Sequence, residues 1–84
     1  MCEVSGCNNA GVETHHWMHR GRYGAAALVP ENEIRLCAEH HRLGGKAVHR
    51  MGRDSFARHF GLEDRLEIAR EAVREADLLC RFIA

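Results

Sequence analysis

The sequence predicts a small α+β domain, held together by a bound metal ion and ending in a long helix. Three observations predict it. Cys2 and Cys7 form one knuckle, and Cys37 and His40 form another about thirty residues downstream. Residues 12–16 and 33–36 read as two short strands. Residues 62–84 carry apolar side chains at alternating steps of four and three, the pattern of one helix face. A chain of 84 residues buries a modest core and commonly needs a staple of this kind.

The elements follow in order. Residues 1–11, MCEVSGCNNAG, form a turn-rich knuckle between two cysteines. The strand at 12–16 comes next, then a glycine- and arginine-bearing loop at 20–27 and the second strand at 33–36. Residues 38–43 begin a helix that Gly44 and Gly45 break. Asp54 or Ser55 caps a short helix that stops at Gly61. In the last segment Leu62, Leu66, Ala69, Val73, Ala76, Cys80 and Ile83 make the apolar seam. Glu63 and Asp64 near its start and Arg81 near its end suit the helix dipole. Asp77 with Arg81, and Glu71 with Arg74, can pair along the outer face. At about 1.5 Å per residue this helix is roughly 33 Å long, more than the expected width of the rest. Residues 1–61 are therefore expected to form the domain proper. Residues 62–84 fold back over it or pack on a partner chain, a homodimer included.

Composition excludes several classes. An apolar fraction of 45% is ordinary for a globular chain. Residues 25–30 are the longest apolar stretch, too short for a bilayer. No basic region followed by an apolar one opens the chain, so no signal peptide and a cytoplasmic location are expected. In that compartment cysteines bind metal more often than they pair. Net charge is zero. Residues 1–61 hold eight basic and six acidic residues (8 − 6 = +2), and residues 62–84 hold four and six (4 − 6 = −2). All seven histidines lie between His15 and His59. An anionic partner belongs with the first part, although the overall basicity typical of nucleic-acid binding is lacking.

Cys2, Cys7, Cys37 and His40 have the spacing of a tetrahedral zinc set, and thiolate and imidazole suit that ion. The alternative is three buried thiols and a solvated histidine. Cys80, on the helical seam, reads as a small apolar core residue. Six histidines remain. His15 and His16 are adjacent, so a strand sends them to opposite sides. If His15 binds a metal, His16 stays free beside it as a base. His41, next to His40, is rotated away from the zinc set and can face His15, with His49 a third possible ligand. An open coordination position admits water or a phosphate oxygen. A histidine that titrates near neutrality suits proton abstraction. The alternative is a surface cluster or a second, degenerate zinc site.

The segments VETHHW, NEIRLCAEHH and HRMGRDSF together resemble the HNH family of His-Me finger endonucleases, most of all small phage-type members with a structural zinc. The resemblance covers residues 2–60. In that family a strand ends in an acidic residue or a histidine followed by the catalytic histidine, and a later segment carries Asn, four residues, Cys, two residues, Cys-His. Here Asn32 and Cys37 stand at that spacing, with His40 in place of the second cysteine and His41 in place of the final histidine. The resemblance implies a ββα-metal finger with added helices. It implies that His16 is the general base activating water. It makes His15 and His41 ligands of a catalytic divalent metal, with His49 a further ligand after a spacer, RLGGKAV, longer than the family's. It gives Asn32 the task of bracing the loop between the strands.

Phosphodiester hydrolysis needs an aligned nucleophile and a Lewis acid on the leaving oxygen, which one metal and one histidine supply. The cation is expected to be Mg²⁺, Mn²⁺, Ni²⁺ or Zn²⁺. Arg20, Arg22, Arg42, Arg50 and Arg53 are candidate phosphate contacts, which position DNA without reading its sequence. Trp17 is expected to pack under the loop, and His19 and His59 to be surface or cap residues. The leading expectation is a metal-dependent DNA endonuclease or nickase. The alternatives are a zinc-stabilised DNA- or protein-binding module without cleavage, and an interaction protein that dimerises through its last helix.

Overall fold

The computed structural model describes residues 1–83. The chain runs through β1 (Glu13–His16), α1 (Arg20–Tyr23), two 3-10 turns (Gly24–Leu28 and Pro30–Asn32) and β2 (Glu33–Leu36). A π-type turn (Glu39–Leu43), α2 (Val48–Met51), α3 (Arg53–Phe60) and α4 (Glu63–Ile83) complete it. It is a small α+β fold with a two-stranded antiparallel sheet, several short helices and a long C-terminal helix.

The strands pair Glu13 with Leu36, Thr14 with Arg35, His15 with Ile34 and His16 with Glu33. Alternation along a strand then sets the two faces. His15, Ile34 and Leu36 are buried on the inner face, whereas Thr14 and Arg35 are exposed on the outer one. The inner face covers a core of Trp17, Ile34, Leu36, Val48, Phe56, Leu66 and Ala69, and Cys2 and Cys37 are themselves part of it. Met18, Ala26 and Val73 form a second, smaller core. Glu3 ties the N-terminal knuckle to both layers. Its amide donates to the Arg35 carbonyl (2.8 Å), and its carboxylate accepts from the Arg35 amide and from Arg65 on α4. Burial opposes ionisation of Glu3, but these donors outweigh it and hold its carboxyl below the usual range.

Several expectations change. The segment at 20–27 is not an open loop but α1 followed by a 3-10 turn, whose Ala26 and Ala27 are buried. The helix after Gly52 begins at Arg53, so neither Asp54 nor Ser55 is its cap. Gly52 takes that position with φ 86°, a conformation that other residues resist. Asp54 instead accepts from Arg70 of α4 at 2.5 Å. The stop at Gly61 is as expected, in the left-handed region with φ 67°.

The seam of α4 packs on the domain through Leu66, Ala69 and Val73, all buried. It stops there: Ala76 is half-buried and Cys80 is exposed, so Cys80 is not a core residue. The Asp77–Arg81 pair forms at 3.2 Å. Among the described residues Glu71 and Arg74 form no ion pair. Ala84 and the side chain of Ile83, the last seam position, lie outside the described residues. No described helix is long and apolar enough to cross a membrane.

Candidate functional site

Two clusters of metal-ligating side chains flank the sheet. Cys2, Cys7, Cys37 and His40 bring their ligand atoms within 4.8 Å of one another. The N-terminal knuckle delivers the first pair, and the end of β2 with the following turn delivers the second. Cys7 Sγ lies 3.9 Å from Cys37 Sγ, and His40 Nδ1 lies 3.6 Å from Cys2 Sγ and 3.3 Å from Cys37 Sγ. Four ligands at about 2.3 Å from a tetrahedral centre stand about 3.8 Å apart. The sulfurs are far beyond the ~2.05 Å of a disulfide, and all four cysteines are free. Burial raises the Cys2 thiol. At Cys37 burial is outweighed by hydrogen bonds from Asn9, His40 and Cys2, which bring it down to about 6. The donor set and its spacing fit a tetrahedral ion.

The second cluster is His15, His41 and His49, also within 4.8 Å. Each comes from a different element: β1, the π-type turn and α2. The His15 ring meets those of His41 and His49 edge-on at 5.1 Å. Nε2 of His41 and Nε2 of His49 are 3.0 Å apart, close to the spacing of adjacent ligands about 2.1 Å from an octahedral ion. Burial, together with His41 and His49, pushes His15 down to about 3. Burial and His41 also lower His49. Both shifts favour the neutral ring, whose nitrogen lone pair is what a cation needs.

The two histidine doublets divide in the same manner. His40 joins the cysteines while His41 joins the histidines. His15 turns inward, whereas His16 lies half-exposed on the other face, with Nε2 3.8 Å from Glu33 Oε1. His16 nonetheless borders the histidine cluster, because both line one shallow depression of about 240 Å³ with His19 and Arg20.

Glu13 is a site residue that the sequence reading missed. Its Oε1 sits 2.7 Å from His41 Nδ1, and it accepts from Arg42 Nε and Nη2 at 3.1 and 2.9 Å. Those bonds, Arg42 first and His41 second, hold its carboxyl down at about 2. A carboxylate on Nδ1 fixes the ring so that Nε2 faces the metal position. The signal was available: Glu13 is two residues from His15 on a strand and shares its face.

Asn32 is fully buried, and among the described residues its side chain hydrogen-bonds to none of these histidines. Its Oδ1 accepts from the Met18 amide at 2.8 Å, and its Nδ2 donates to the carbonyls of Met18 and Ala27 at 3.0 and 2.9 Å. It clamps the segment that leaves β1 two residues after His16. Trp17 is buried beneath that segment with no partner for its indole N–H among the described residues.

The arginines are dispersed. Arg20 borders the histidine depression. Arg42 is held by Glu13, and Arg53 donates to the Trp17 carbonyl at 3.3 Å. Arg50 stands exposed on α2, and Arg22 lines a groove against α4. His19 occupies the cap position of α1 without a side-chain bond, and His59 is exposed against Phe60. Comparison with protein-family models, curated protein sequences and solved structures returned no match.

Proposed function

We propose that the chain is a metal-dependent nuclease that hydrolyses phosphodiester bonds in DNA. In this reading the fold is a ββα-metal finger of the HNH type, and Cys2, Cys7, Cys37 and His40 hold a structural zinc. One observation carries the proposal. His15, His41 and His49 converge on a single point, while His16, the next residue on the strand, borders the same depression from the opposite face.

Those three histidines would hold a divalent cation, which would supply Lewis acidity to a phosphate ester. The protein does the rest. His15 and His49 present ring nitrogens whose neutral form burial favours. Glu13 fixes the ring of His41. His16 takes a proton from the attacking water at its free ring nitrogen. Glu33, 3.8 Å away, gives the charge formed on that ring an opposite neighbour. Asn32 keeps His16 and the following segment in place through the backbone of Met18. Arg20, which lines the same depression, would contact a flanking phosphate.

The test is conversion of supercoiled plasmid to open-circular or linear DNA with Mg²⁺, Mn²⁺, Ni²⁺ or Zn²⁺. At least one cation supports cleavage by the wild type. His16→Ala loses roughly a hundred- to ten-thousand-fold in rate, the usual contribution of a positioned base. Absence of cleavage with all four cations, or equal cleavage by the variant, defeats the proposal. DNA binding without cleavage then marks the chain as a metal-stabilised binding module.

A further inference from the structure

The acid-rich last segment hides a basic stripe. Positions 70, 74, 77 and 81 of α4 step by four, three and four and therefore share a face. Arg70, Arg74 and Arg81 stand there with Asp77, and together with Arg22 and Tyr23 of α1 they line a groove of about 360 Å³. Four guanidinium groups thus meet one lining carboxylate in a chain whose net charge is zero. Arg70 reaches Asp54 and Arg81 reaches Asp77, while Arg22 lies over the Tyr23 ring at 5.5 Å. Arg74 is exposed and has no carboxylate partner among the described residues.

We infer that this groove binds the phosphodiester backbone of a nucleic-acid strand, outside the histidine site. The shape of the charge selects the ligand. From position 70 to position 81 is about 16 Å along a helix, roughly five nucleotide steps at 3.4 Å of rise. Cations strung out in this way suit a polyanion, whereas one phosphate ion needs donors converging on a point. The two depressions are neighbours across α1: Arg20 borders the histidine depression, and Arg22, two residues on, lines the groove. Met18, clamped by Asn32, lines the groove too.

The choice of nucleic acid as the polyanion rests on the nuclease reading, but its test is separate. Binding of a fluorescein-labelled DNA duplex by the zinc-loaded protein is followed by anisotropy over a range of salt concentrations. All arms carry His16→Ala so that the duplex stays intact. Adding Arg74→Ala and Arg81→Ala lowers the slope of log K against log salt by about 1.8, close to 0.9 for each phosphate that is no longer neutralised. Arg74→Lys with Arg81→Lys keeps the slope, and Arg74→Glu weakens binding further. Both arginines are exposed, and circular dichroism verifies the fold of each variant.

An unchanged slope in a folded double alanine variant overturns the inference, as does absence of DNA binding by the parent. Competition by inorganic phosphate as strong as that of unlabelled DNA at equal phosphate and equal ionic strength also overturns it, in favour of a small-anion site. A changed sedimentation mass in place of a changed slope makes the groove an interface between copies and overturns it likewise. Plasmid cleavage by the wild type with an unchanged slope keeps the nuclease and removes the groove. A lowered slope without cleavage does the reverse.

Discussion

At the scale of single residues, the candidate site depends on side chains that hold its histidines in place. Glu13 is the clearest case. Its carboxylate holds His41 Nδ1, and Arg42 holds the carboxylate from the far side. Without it the His41 ring is free to turn and to protonate the wrong nitrogen. Outer-shell carboxylates of this kind are worth roughly 10- to 100-fold in metal affinity. Glu13→Ala is therefore expected to weaken Mn²⁺ or Ni²⁺ binding at the histidine cluster by about that factor. Glu13→Gln falls in between, since its amide oxygen still accepts from Nδ1–H. Isothermal titration reads the affinity, and native mass spectrometry should show the Cys2–Cys7–Cys37–His40 set still loaded. Unchanged affinity in Glu13→Ala would reduce Glu13 to a surface partner of Arg42. Sequence spacing brought together both ligand sets, because cysteine and histidine chemistry is local and the doublets split by simple geometry. It did not single out Glu13, because the two-residue step to His15 marks a shared strand face and not the ring, His41, that the carboxylate holds from another element.

At the scale of elements, legibility followed periodicity. β2 was read with its observed limits, and α4 was read from its seam, because burial of one face imposes a repeat on the sequence. α1 and the 3-10 turn after it were missed. Four residues and five residues are too few to show a repeat, and buried Ala26 and Ala27 leave little apolar signal. The seam overran its packing as well: its pattern continues to Cys80, but the domain beneath ends near Ala76. The two halves of α4 should thus differ sharply under mutation. Leu66 is 4% exposed in the main core, and its truncation to alanine should cost about 2–5 kcal/mol. Leu79 is 61% exposed, and the same change there should stay within about 0.5 kcal/mol. Urea unfolding of both variants measures the difference. A large loss at Leu79, with a midpoint that rises with protein concentration, would mean that a second copy covers the exposed Leu79 and Phe82.

At the scale of the whole molecule, the two candidate metal sets occupy different structural positions and should respond differently to a chelator. Cys2 and Cys37 are buried within the main core, and Glu3 of the knuckle that carries Cys2 bonds to β2 and to α4. An ion at Cys2, Cys7, Cys37 and His40 would therefore join the N-terminus to the body of the fold. Structural zinc contributes about 10–16 kcal/mol to zinc-finger peptides at neutral pH, as much as the whole net stability of a typical domain at about 5–15 kcal/mol. His49, by contrast, is exposed, and the histidine cluster opens into a shallow depression. Brief treatment with EDTA is expected to empty the histidine cluster first. DNA cleavage then disappears while the helical circular dichroism stays, and added Mn²⁺ or Ni²⁺ restores activity. Prolonged treatment, or a chelator that competes for thiolate-bound zinc, should release about one further ion per chain and unfold the protein in the same step. Native mass spectrometry counts the ions while circular dichroism follows the fold. Loss of that second ion with the helices intact would show that the core alone holds the chain together.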